Sequence, residues 1–361
     1  MVESAKKQYV LLRTLHTPAQ ISCLAFGHAG HLFVGSSDAT LRVYDMSTLK
    51  VLKGICGLEG EVSSIVCLKR PGSDLRDAWI AHGQKVSKFK LDSPKMIQDT
   101  GDALSNLKVT DELDDVVNEL ALNGNKSHLA FTLDSGVIGI IALADCSIQK
   151  LTIKHDGICG SVGFIPDRPR ELVSGGYDTY LIHQDFVQGK ESSRRQIDAH
   201  VEEGGMGLSP PFITSMTLSS ASVIAAGTAD GRLLLGFGAE RGFSAQTKKA
   251  KKWDGLDPQN SLLIKIAEGP IVALTFAEPR RLITSTLMGV ITHFNLIYDQ
   301  AKGSVVLQQT FRNESVGLVK VNTLLADDKR LVVGGFDSDG KGVLQIWKQD
   351  PSFHIQEVRS T

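Results

Sequence analysis

Several absences in this chain narrow what it can be. The five cysteines, Cys23, Cys56, Cys67, Cys146 and Cys159, lie far apart with no CxxC spacing. They fit neither a zinc site nor a disulfide framework and read as reduced thiols. Aromatic residues make up only 6% of the 361 residues while glycine is abundant, which reads as a soluble, turn-rich protein. Charge of either sign is not in excess: 39 basic side chains meet 40 acidic ones, which gives no global field for nucleic acid or an anionic membrane. The longest apolar run, Val137 to Ala144, is far too short for a membrane span, and MVESAKKQYV has no secretion-signal character. Membrane association is therefore not expected, and the chain is expected in the cytoplasm, the nucleus or both. No GxSxG, HExxH or GxxxxGK[ST] motif is present, so the reading is non-enzymatic and requires no cofactor or metal.

What the chain does have is glycine, 35 residues of it, and a repeat. The repeat is clearest where ISCLAF (Ile21 to Phe26), HLFVGSSD (His31 to Asp38) and TLRVYD (Thr40 to Asp45) follow His16. The same order returns after His155 as ICGSVGFIP, ELVSGGYD ending at Asp178, and YLIHQDF. Weaker copies begin at Val62, Val116, Phe212, Pro270 and Gly317, which makes seven units. Two-residue alternation, β-branched residues and turns such as Asp134-Ser135-Gly136 and Asp230-Gly231 favour short strands over helices. A period of roughly 40 to 50 residues indicates one four-stranded blade per unit. The expectation is an all-β, seven-bladed propeller occupying residues 1–361 as one domain, monomeric by itself.

Tyr9 to His16, just before the first unit, is strand-like and is expected to close the ring as the outer strand of the last blade. FHIQEV (Phe353 to Val358) competes for that position. Loop insertions are expected at about 187–211 and 241–260. The second holds Lys248, Lys249, Lys251 and Lys252 beside Trp253, a candidate interaction surface or a solvated loop. Binding of nucleic acid there is the lesser reading.

The first unit resembles a WD40 repeat. His16 stands where that family has the His of its Gly-His pair, Asp38 where it has the turn Asp, and Ser36 and Tyr44 complete the set, with Tyr44 at the usual Trp position. The fourth unit supplies His155, Ser174 and Asp178, with Gln184 at the Trp position. The resemblance implies a structural hydrogen-bond network at these residues. It also implies a non-catalytic scaffold that binds proteins or peptides at its rims, with Arg42, Tyr177 and Phe336 as candidate contacts. Some such propellers are substrate receptors that dock on the adaptor of cullin-4 ubiquitin ligases through Trp-Asp-x-Arg. Here Tyr44-Asp45-Met46-Ser47 and Leu91-Asp92-Ser93-Pro94 keep the Asp and lack the Arg. The alternative class is a propeller enzyme with a polar site in its channel. Inner strands opening with Ile21, Val62, Val116, Ile158, Ile213 and Ile271 argue against it.

Overall fold

A computed structural model describes residues 9–69, 76–199, 209–238, 252–299 and 304–349. Short runs of Val, Ile and Leu broken by Gly and Asp turns form seven sheets, which make a seven-bladed propeller. Helix amounts to three single-turn 3-10 segments among the described residues, and no helix there is long and apolar enough to cross a membrane. The innermost strands of blades 1 to 7 are Ile21–Phe26, Val62–Leu68, Val117–Leu122, Cys159–Phe164, Ile213–Leu218, Ile271–Glu278 and Lys320–Ala326. Each pairs with the next strand of its own blade, and the meander continues outward. Blade 1 carries a fifth strand, Ile97–Gln98, which runs parallel to its outer strand Val51–Ile55.

Seven hydrophobic clusters hold the ring, and each straddles two consecutive blades, from blades 1 and 2 round to blades 7 and 1. Both faces of every sheet are therefore covered. This explains why second strands such as His31–Ser36 and Asp77–His82 are buried at every position instead of alternating. Truncating a buried Leu or Ile there removes packing from one blade and its neighbour together, at about 2–5 kcal/mol.

Tyr9–Thr17 pairs antiparallel with Gly342–Gln349, the third strand of blade 7, so the N-terminal segment completes the last blade. Its rival, Phe353 to Val358, lies outside the described residues. The expected loop from 187 is shorter than anticipated, because Lys190–Gln196 is the outer strand of blade 4, hydrogen-bonded to Tyr180–Asp185.

Each innermost strand carries one extra residue opposite its neighbour, a bulge between its first and third or fourth core positions, as between Ile21 and Cys23. A bulge frees a backbone carbonyl that must find another partner. In five of the seven junctions the side chain at the second position reaches the first-position carbonyl of the following blade. Ser22 donates to Val62 at 2.6 Å, Asn118 to Cys159 at 3.2 Å, Thr214 to Ile271 at 2.8 Å and Asn322 to Ile21 at 2.9 Å; Ser63 donates to Val117. Gly160 and Val272 hold this position at the other two junctions and have no group to donate.

Candidate functional site

Antiparallel meanders place alternate connections at opposite ends of every blade. One rim gathers the turns between second and third strands and the links from blade to blade. The opposite rim gathers the remaining turns. In blade 4 the link 151–158 brings His155 under the turn 177–179. His155 is buried; its Nδ1–H donates to the Asp178 carboxylate at 2.9 Å, and its Nε2 accepts from Ser174 Oγ at 2.8 Å. The amides of Asp156 and Tyr180 also donate to Asp178. Burial works to raise the Asp178 carboxyl, but His155 and these amides outweigh it and hold it below the ordinary value. Gln184 is buried beside this set with its amide nitrogen unbonded, so the network ends at three members.

Blade 1 does not build the set that its letters imply. His16 lies within the clasping strand, paired opposite Val343, and points outward with 61% of its side chain exposed, 3.9 Å from Asp337 of blade 7. Thr17 takes the inward position and donates to the Ala19 carbonyl. Ser36 Oγ, at the register position that Gly176 holds in blade 4, is buried without a partner. Asp38 instead accepts from Thr40, and Tyr44 is buried in the cluster between blades 7 and 1.

Two sets escaped the sequence reading. In blade 2, His82 comes from the end of the second strand, bonds Ser87 at 2.8 Å and accepts from the Glu59 amide; Ser87 donates on to Asn106. Burial lowers the His82 pKa to about 4, which keeps the ring neutral. In blade 4, His183 bonds Glu171 at 2.9 Å, and Trp253 packs edge-on against the ring. No repeat spacing announces either set. A lone Glu inside VVNELAL was legible: burial pushes Glu119, on the inner strand of blade 3, up to about 8, although the Val162 amide donates to it at 2.9 Å.

The candidate contact residues divide. Tyr177 is 39% exposed and stacks on Phe212, with ring centroids 5.4 Å apart. Arg42 is half-buried and donates to Thr40 at 2.7 Å, while Phe336 is half-buried at the end of its strand. Trp253 is corrected: it is 1% exposed, donates to the Ser222 carbonyl at 3.0 Å and joins the cluster between blades 4 and 5. Gly238 and Gly255 line its ring, where any side chain would collide. Lys252 is exposed; Lys248, Lys249 and Lys251 lie outside the described residues.

A second correction concerns the channel. The apolar openings Ile21, Val62, Ile213 and Ile271 are buried between blades, and two strands open one residue later than expected, at Val117 and Cys159. They therefore carry no information about the pore. The half-buried second positions, such as Ser22, Asn118 and Thr214, are the informative ones. These are occupied in binding the next blade. No cluster of three His, Cys, Asp or Glu capable of holding a metal occurs among the described residues, where all five cysteines are free.

The WD domain, G-beta repeat family model matches residues 9–45. The chain is 26% identical over 219 residues to the WD repeat-containing protein 53 homolog of Dictyostelium discoideum, covering 56% of this chain and 57% of that protein. The match thus spans little more than half the relative's length. The family-model match falls on the first unit, and both comparisons agree with the WD40 resemblance.

Proposed function

We propose that this seven-bladed propeller, similar to WD40-repeat proteins, is a non-catalytic intracellular platform that holds other proteins at its rims. The observation that carries the reading is where the polar side chains go. The His155–Ser174–Asp178 set and the junction hydrogen bonds are spent inside the fold, tying turns and blades together. What remains exposed is loop surface on a stiff ring, and stiffness lowers the ordering cost of binding.

Membership of a cullin-4 ligase gains nothing from Tyr44-Asp45. Asp45 accepts from the amide and hydroxyl of Ser47 and from Thr48, which closes its own turn. The test is affinity purification of the tagged full chain, followed by reconstitution of each recovered protein, and of the cullin-4 adaptor, with purified chain. At least one protein is expected to bind directly and stoichiometrically. Failure of every reconstitution would overturn the platform reading, and binding of the adaptor would restore the receptor role.

A further inference from the structure

The near-zero net charge of the chain conceals an uneven split of its loop charges, offset in part by Lys85, Lys108, Lys150, Arg232, Lys265 and Lys320 at the strand ends of the more acidic rim. On the rim made of blade-to-blade links and second-to-third-strand turns, the described loop residues include fifteen Asp or Glu and two Lys or Arg, Lys154 and Lys341. On the opposite rim the described loops hold nine acidic and eleven basic residues. Several acidic side chains of the first rim are used inside the fold: Asp178 with His155, Asp115 with Thr110 and Ser135, Asp230 with Arg232. Glu61, Glu112, Asp114 and Asp156 are exposed and make no ion pair among the described residues.

The same rim leaves apolar side chains uncovered, one of them among these carboxylates. Leu113 is 89% exposed in the sequence Asp111-Glu112-Leu113-Asp114-Asp115. The same rim exposes Val316 at 84%, Met288 at 66% and the Tyr177 ring stacked on Phe212. Links 56–61 and 109–116 flank one tight turn: Glu59 donates its amide to His82, and the Val109 and Val117 amides bond the carbonyls of Gln84 and Gly83. Glu59, paired with Lys85, Asp111, paired with Lys108, and the unpaired Glu61, Glu112 and Asp114 therefore belong to one continuous surface, with Leu113 within it. Through Asp115, Ser135 and Gly136 it continues to the link that bears Asp156.

We infer that this rim, centred on Leu113 between blades 2 and 3, docks a Lys/Arg-rich segment of a partner protein that also presents an apolar side chain. Charge complementarity selects the occupant. An apolar anchor beside unpaired carboxylates repels nucleic acid and anionic lipid and attracts a basic chain. The inference rests on the platform reading and names the rim and partner chemistry.

The test uses purified full-length chain and two synthetic peptides, one Lys/Arg-rich with a single Leu and the other its Glu/Asp counterpart, titrated at two salt concentrations. The basic peptide is expected to bind, to weaken severalfold at the higher salt, and to exceed the acidic peptide by at least about tenfold. A combined Glu61→Gln, Glu112→Gln, Asp114→Asn variant is expected to lose about tenfold, and Leu113→Ser a further severalfold, with melting temperatures unchanged. Asp328→Asn on the opposite rim is the control that leaves binding unaltered. Failure of the basic peptide to bind, equal binding of both peptides, or an unaffected carboxylate variant would overturn the inference. Concentration-dependent self-association lost in the same variant would overturn it in favour of a second copy of the chain. If reconstituted protein partners still bind when the rim inference fails, the platform reading survives; if no partner reconstitutes, it falls separately.

Discussion

Blades 1 and 4 each place a His 22 or 23 residues before a turn Asp, yet only blade 4 builds the buried His–Ser–Asp set; Ser174 lies four residues before its Asp, whereas Ser36 lies two before Asp38, at the register position of Gly176. His155 stands in a free link and can turn inward beneath the 177–179 turn. His16 stands in a strand whose register with blade 7 fixes its side chain outward. The same closure that completes the ring thus removes the histidine from the blade it precedes. A residue at the right spacing builds a network only when no other pairing has already set its direction.

The sharpest way to break this comparison is to delete both histidines separately. His155→Ala leaves Asp178 and Ser174 without their shared partner and is expected to cost about 3 kcal/mol in chemical denaturation, whereas His16→Ala stays within about 0.5 kcal/mol. Equal losses would show that His16 is a network member after all. The serines should differ in the same direction: Ser174→Ala costs about 1–2 kcal/mol, while Ser36→Ala is neutral or slightly stabilising, because Ser36 Oγ is already unbonded.

Titration sharpens the contrast from two sides. Asp178 is held low in the folded chain, so its contribution is present above the ordinary carboxylate value and fades as pH falls through the folded value. Asp178→Asn should flatten the acid limb of the stability profile. Glu119 behaves oppositely: its carboxyl is raised to about 8, so its contribution is full below the ordinary value of 4.5 and is lost as pH rises through 8. Glu119→Gln should flatten that neutral limb, as followed by thermal unfolding against pH. The smallest effect is expected at the junction of blades 4 and 5. A Cβ at Gly160 would stand 4.0 Å from the Ile213 carbonyl, so Gly160→Ser adds the missing interblade hydrogen bond. A gain of about 0.5 kcal/mol is expected.

The blade count and the blade 4 set were legible because they depend on local period and local spacing; the closing strand was legible only as one of two candidates, because its pairing joins the two ends of the chain. Val, Ile and Leu at short intervals with Gly or Asp turns are readable without tertiary knowledge. The His82 and His183 sets were not, since their partners converge from strands that no repeat aligns. Trp253 misled the reading for a related reason. Its lysine-rich neighbourhood suggested exposure, while the glycines that admit its ring, Gly238 and Gly255, carry no letter that announces burial. The rim asymmetry was invisible because overall composition sums two ends of the ring that only the topology separates.

Amide hydrogen exchange resolved to single strands tests the closed, stiff ring on which the rest depends. Tyr9–Thr17 and Gly342–Gln349 are expected to exchange as slowly as the seven inner strands and to lose protection together with them as denaturant rises. Rapid exchange of Tyr9–Thr17 while the inner strands stay protected would mean an open ring, and would contradict both the platform and the displaced role of His16.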